Sequence, residues 1–140
     1  MSLNMTIEER QTFLAALHVG IVSIPIKNQA PLTVPIWYDY SPGGKLWMLT
    51  DAESKKGKAL LECERISLCA QSESLPYRYV SVEGNFDITE SNKDVSLKMA
   101  VRYLGEEAGK QYSENSGGEQ SVLVSFTPDK WLTVDYSKMA

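Results

Sequence analysis

The sequence predicts a mostly-β fold: six or seven antiparallel strands closing into a barrel or sandwich, with three helices lying outside. Three observations carry this. Apolar, β-branched and aromatic runs recur along the chain. Short turns join successive runs, which favours antiparallel pairing. Helical spacing with a start signal occurs at three places only.

Thr6-Ile7-Glu8-Glu9 is a capping box, in which the Thr6 oxygen accepts from the third helical amide and Glu9 reaches back. Apolar residues at Ile7, Phe13, Leu14 and Leu17 extend that helix to near Gly20. Val19–Ile26 is a first strand, Asn28-Gln29 turns the chain, and Leu32–Tyr40 returns. Ser41-Pro42-Gly43-Gly44 is a tight turn before Lys45–Thr50. Ser54 opens a second helix over Lys55–Glu64, with Ala59, Leu60 and Cys63 inward. Ile66–Gln71 and a long Tyr77–Ile88 follow as strands, Gly84 marking a bulge or close approach and Tyr79 facing away from Val80 and Val82. Ser91 opens a third helix to about Leu104, with Val95, Met99 and Tyr103 four apart. Gly105–Gln120 reads as a frayed helix end and loop. Val122–Thr127 and Trp131–Tyr136 are the last strands, around Pro128-Asp129.

The 140 residues (15.6 kDa) are expected to form one domain, 1–140, with residues 1–4 a cloning remnant ahead of Met5. A chain this long buries roughly 70% of its unfolded surface and needs neither disulfide nor metal to fold. The longest uncharged apolar stretch, Val19–Ile26, is too short to span a bilayer, and Met1–Arg10 has no leader-like apolar core, so no membrane partner is expected. Fourteen basic and eighteen acidic groups give a net charge of −4, which opposes a nucleic-acid partner. A small nucleic-acid-binding barrel is disfavoured for the same reason. Cys63 and Cys69 have neither zinc nor disulfide spacing, read as reduced thiols, and point to the cytoplasm. With His18 as the single histidine, a His-rich metal site is excluded.

Most chemical motifs are absent. Gly57-Lys58 lacks the rest of a P-loop, and there is no GxGxxG. A nucleophilic triad would need His18, which reads as a solvated helix-end histidine suited to the dipole there. Glu8-Glu9 and Glu106-Glu107 read as solvated helical turns. One cluster remains, Thr50–Lys58, which runs from a strand end into a helix start. Lysines in a first turn oppose the helix dipole, and a bound phosphate would offset them together with the free amides. A solvated basic turn stands beside that reading. Pro35 tips the balance: it cannot donate to a ladder, so its strand is an edge or is bulged, freeing main-chain groups for a flat ring with polar edges. Trp37, Trp47 and Tyr79 are candidate walls, or ordinary core.

The order helix, VGIVSI, PLTVPIWYDY, KLWMLTD, SKKGKALL, RISLCAQ, YRYVSVEGNFDI, helix, VSFTPDKWLTVDY resembles the pyridoxamine phosphate oxidase-like family of flavin-binding split barrels, from about Thr6 to Tyr136. The resemblance implies a six-stranded antiparallel split barrel that forms a homodimer with FMN at the subunit interface. The pair following Ser54, Lys55 and Lys56, maps onto the family's phosphate-holding basic residues, where the first is more often arginine. Lysine keeps the charge but loses the bidentate fork. Thr33, Val34, Pro35 and Ile36 map onto the main chain lining the flavin ring, Leu49 and Thr50 onto the third strand's contribution, and Tyr79 onto a fifth-strand side chain. The family's partner-subunit aromatic aligns with Val134, leaving Trp131 and Tyr136 as substitutes. The chain has no counterpart of the oxidase's Arg- and His-bearing end, which weighs against pyridoxamine phosphate as substrate. The implied activity is a flavin-dependent oxidoreductase acting on an unknown small molecule, with no catalytic residue assigned. A deazaflavin-dependent reductase and a non-catalytic flavin-binding module are the alternatives. Glu53, Glu62 and Glu64 crowd the lysines and favour FMN over a deazaflavin with its anionic tail.

Overall fold

A computed structural model describes residues 2–115 and 121–139. Its elements run α1 (Ile7–Ala15), β1 (Gly20–Ile24), β2 (Leu32–Ile36), β3 (Tyr38–Tyr40), β4 (Leu46–Asp51), α2 (Lys55–Leu60), β5 (Arg65–Gln71), β6 (Arg78–Asn85), β7 (Asp87–Glu90), α3 (Lys93–Leu104), α4 (Glu106–Asn115), β8 (Ser121–Phe126) and β9 (Lys130–Asp135). All strand pairings are antiparallel, in a five-stranded sheet β2-β1-β5-β6-β9 and a four-stranded sheet β3-β4-β8-β7.

Two of the expected strands each serve both sheets. Leu32–Tyr40 breaks at Trp37 into β2 and β3, and Tyr77–Ile88 breaks at Phe86 into β6 and β7. These breaks bend one antiparallel run into the two halves of a split barrel. The core is built by alternation: Val22 and Ile24 of β1, Leu46 and Met48 of β4, Leu68 of β5, Val80 and Val82 of β6 and Val124 of β8 are all shut off from solvent. Each such side chain contributes about 1.5–3 kcal/mol relative to exposure. Gly84 is a close approach and not a bulge. It pairs in register with Ile66, and a Cβ there would meet the Phe126 ring and Thr127 O at 2.8 Å.

The capping box of α1 forms in both directions, with Glu9 N donating to Thr6 Oγ1 (3.1 Å) and Thr6 N to Glu9 Oε1 (2.7 Å). The helix ends at Ala15, so Leu17 lies beyond it and is exposed, as is Ile7, while Leu14 fills the core. Helix α2 stops at Leu60 rather than Glu64, because tightening bonds from Leu61 N to Lys58 O and from Glu62 N to Ala59 O turn the chain into β5. Asn92, one residue past the expected Ser91, caps α3. Of the expected Gly105–Gln120 loop, Glu106–Asn115 is a ten-residue helix packed on α3, and residues 116–120 lie outside the described residues. The first residues are tied in, with Asp135 N donating to Leu3 O (2.8 Å) and Met5 N to Thr133 Oγ1 (3.0 Å). Among the described residues, no helix is long and apolar enough to cross a membrane.

Candidate functional site

The turn from β4 into α2 is built around Ser54. Its hydroxyl accepts from Gly57 N (3.1 Å), donates to Asp51 O (2.6 Å) and sits 3.2 Å from Thr50 Oγ1. Gly57 is required by proximity: a Cβ there would lie 2.3 Å from Asp51 O and 2.6 Å from Ala52 O. That contact folds the helix start back over the end of β4. The helix is only six residues long, so its dipole contributes little, and positive charge at this place comes from lysine ammonium groups. Lys56 is half-buried and turned toward a cleft, whereas Lys55 is exposed and outside the cleft lining.

That cleft has a volume of about 870 Å³ and two chemically different ends. The polar end holds Thr50, Asp51, Ser54, Lys56 and Ser121. The Asp51 carboxylate there is engaged by Glu53 N (2.8 Å). The apolar part of the lining is Pro35, Ile36 and Leu49 together with Trp37, Met99 and Tyr112. Trp37 stands at the β2–β3 break. One of its faces stacks on Tyr103 of α3 (4.9 Å between ring centroids, 5° between planes), and Tyr112 of α4 leans on it at 5.6 Å and 49°.

Two α3 residues anchor this break. The Tyr103 hydroxyl accepts from Tyr38 N (3.0 Å) and lies 2.6 Å from His18 O and 2.9 Å from Tyr38 O, its single proton serving those carbonyls. Burial raises the Tyr103 pKa, which keeps that donor protonated. Arg102 donates through Nε to Tyr38 O (3.0 Å) and through Nη2 to Ala15 O and Ala16 O, and pairs with Asp39 at 3.4 Å.

The structure gathers Pro35, Ile36, Leu49, Thr50, Ser54 and Lys56 around one cleft. Thr33 and Val34 continue the same strand but do not line it. Tyr79 lies on the outward face of the five-stranded sheet, away from the cleft of its own chain. Trp131 does not line the cleft either, but it lies on the inward face beside Val82, meeting Tyr40 edge-on at 6.0 Å under the guanidinium of Arg10. Of the candidate walls, Trp37 lines the cleft and Trp47 does not. Met99 and Tyr112 are cleft residues that sequence reasoning missed, since Met99 reads only as one of a row four apart on the third helix and Tyr112 falls in an expected loop. His18 is packed rather than solvated: it stacks on Phe13 at 4.4 Å and its Nε2 lies 3.0 Å from Phe13 O. Burial pushes the Cys63 and Cys69 thiols up, leaving both poorly ionised.

Comparison with known proteins adds a second line. The sequence model of the family described as pyridoxamine 5'-phosphate oxidase matches residues 6–135. No curated protein matches significantly. Among solved structures, a conserved hypothetical protein from Mycobacterium tuberculosis is similar at a TM-score of 0.78 and 21% identity, over 99% of this chain and 91% of its own. A protein titled F420 reductase is similar at 0.71 and 19%, over 87% and 94%. An FAD-binding protein from Mesorhizobium loti is similar at 0.67 and 17%, over 93% and 94%. At these identities the likeness concerns the fold.

Proposed function

The chain belongs to the pyridoxamine 5'-phosphate oxidase family, and on that premise we propose that its cleft holds FMN, making it a flavin-dependent oxidoreductase for a small substrate. One observation carries the reading: a single cleft joins a lysine-and-hydroxyl end to an apolar end bordered by the strand that contains Pro35. The ammonium of Lys56 neutralises a phosphate; the Ser54 proton is already given to Asp51 O, so the hydroxyl that can turn toward the phosphate is that of Thr50. Ile36, Leu49 and Met99 exclude water from the ring, and the main chain beside Pro35 faces its polar edge. When bound, the flavin supplies hydride or electron transfer. Among the described residues lining the cleft, Lys56 is the one cation and Asp51 opposes it. That balance suits one phosphate better than the longer anionic tail of a deazaflavin, even though one similar fold is titled F420 reductase.

Two copies of the chain are part of the proposal. Pro35 lines the cleft and also begins an uncharged row, Pro35–Ile21–Cys69–Ser81–Leu132, that crosses the outer face of the five-stranded sheet. A second copy seated on that face would close the cleft beside Pro35. It would also give Tyr79, which lies on that same outer face, a route to the neighbouring site.

Lys56→Ala tests the phosphate assignment. A charge-assisted hydrogen bond contributes about 1.5–3 kcal/mol, so FMN affinity is expected to fall roughly ten- to a hundredfold with the circular dichroism spectrum unchanged. Flavin fluorescence titration reads this directly. An unaltered dissociation constant would remove the basis for placing phosphate at this end.

A further inference from the structure

We infer that the aromatic wall of the cleft formed by Trp37 and Tyr112 is a subsite for an uncharged, planar aromatic ligand, a second occupant beside the cofactor. The inference rests on the cofactor reading above, because it takes the polar end as the cofactor's anchor.

Tyr112 is the observation that asks for an occupant. It is the one large apolar side chain on α4, whose sequence EEAGKQYSEN is otherwise small or polar. It is 52% exposed and faces the cleft rather than the core. Helix α4 is drawn onto α3 by Gly109, where a Cβ would come within 2.7 Å of the Val101 main chain. Gly109 and Tyr112 are three residues apart and share a helix face, so this close approach sets how far Tyr112 stands from Trp37. Trp37 in turn is held by its parallel stack on Tyr103, whose hydroxyl is fixed to the main chain at Tyr38 and His18. The result is a corner of three packed rings, Tyr103, Trp37 and Tyr112.

Charge defines the ligand class. Both charged residues of the cleft lining, Asp51 and Lys56, belong to the β4–α2 turn. The aromatic wall offers Val19, Trp37, Met99, Ala100 and Tyr112, with uncharged polar groups only, the Ser96 and Tyr112 hydroxyls and the Trp37 indole N–H. Among the described residues no opposite charge lies there to compensate the desolvation of an ionised substrate, whereas a neutral ring gains apolar burial and stacking.

The test is done on full-length protein in two steps, with calorimetry as the readout. FMN is titrated first, and the FMN-saturated protein is then titrated with 2-naphthol and, separately, with 2-naphthalenesulfonate. Saturable naphthol binding is expected, with the sulfonate at least tenfold weaker. Tyr112→Ala should weaken naphthol roughly two- to tenfold while FMN affinity changes less than twofold. Failure of the wild-type chain to bind FMN overturns the cofactor reading and this inference with it. FMN binding without naphthol binding, sulfonate binding as tight as naphthol, or naphthol binding unchanged in Tyr112→Ala overturns the inference alone. So does a parallel loss of FMN affinity in Tyr112→Ala, which would assign the aromatic corner to the cofactor.

Discussion

His18 shows how one side chain couples packing to pH. Its ring stacks on Phe13, its Nε2 lies 3.0 Å from Phe13 O, and burial together with the nearby Arg102 charge holds its pKa below the ordinary 6.5. The unfolded chain therefore binds a proton that the folded chain resists. Stability from this residue is complete above about pH 6.5 and declines as pH falls below it. Thermal midpoints at pH 7.5 and 5.5 should differ more in the wild type than in His18→Gln, which has no proton to gain. An equal pH response in both would show that the histidine titrates freely. The same proximity problem explains which site residues were legible. Ser54 and Lys56 follow from a strand end meeting a helix start, a local signal. That Lys56 turns into the cleft while Lys55 does not depends on where α2 lands, and adjacent lysines carry no record of it. Nor does Tyr103 announce itself: its spacing from Val95 and Met99 gives a helix face, but its hydroxyl serves carbonyls far away in sequence, at His18 and Tyr38.

Element ends were harder to read than elements. Alternation of buried and exposed residues made the strands visible, because a half-buried sheet imposes a period of two. The breaks at Trp37 and Phe86 were hidden, since both fall inside unbroken β-type runs and only the closure of the barrel demands a bend there. Helix α4 was hidden for the opposite reason. Gly109 and Ser113 make a weak helix in isolation, and its packing on α3 supplies the stability that propensity lacks. Gly57 is where an element's position bears most directly on the site. Alanine there would gain up to about 1 kcal/mol of helix propensity. Its Cβ would however meet main-chain oxygen at 2.3 Å, and overpacking against backbone that cannot swing aside costs about 1–3 kcal/mol. The contact wins. Gly57→Ala should lower the thermal midpoint by several degrees and weaken FMN binding, since α2 can no longer rest on the end of β4. A midpoint equal to or above wild type would mean that the turn yields at no cost.

At the scale of the whole molecule, the outer face of the five-stranded sheet poses the largest energetic question. Its middle row carries no charge from β2 to β9, and Ile21 and Leu132 are 37% and 60% exposed. Covering such a row with a second copy removes apolar surface from water at about 25 cal/mol per Å², the main term available to the proposed dimer. Electrostatics works against it, because each chain carries −4. At physiological salt that repulsion is screened over about 8 Å, so burial is expected to prevail. Leu132→Arg separates the two effects. It makes each chain less negative, which would favour association if repulsion were decisive. It also forces a guanidinium into the apolar row, where desolvation is not repaid by any facing carboxylate in the row itself. The variant should elute near 15.6 kDa where the wild type elutes near twice that mass, and its FMN affinity should drop with the loss of the neighbouring chain. A Leu132→Arg protein that stays dimeric would place the contact between copies on some other face. A wild-type monomer that still binds FMN tightly would make the cleft complete within one chain.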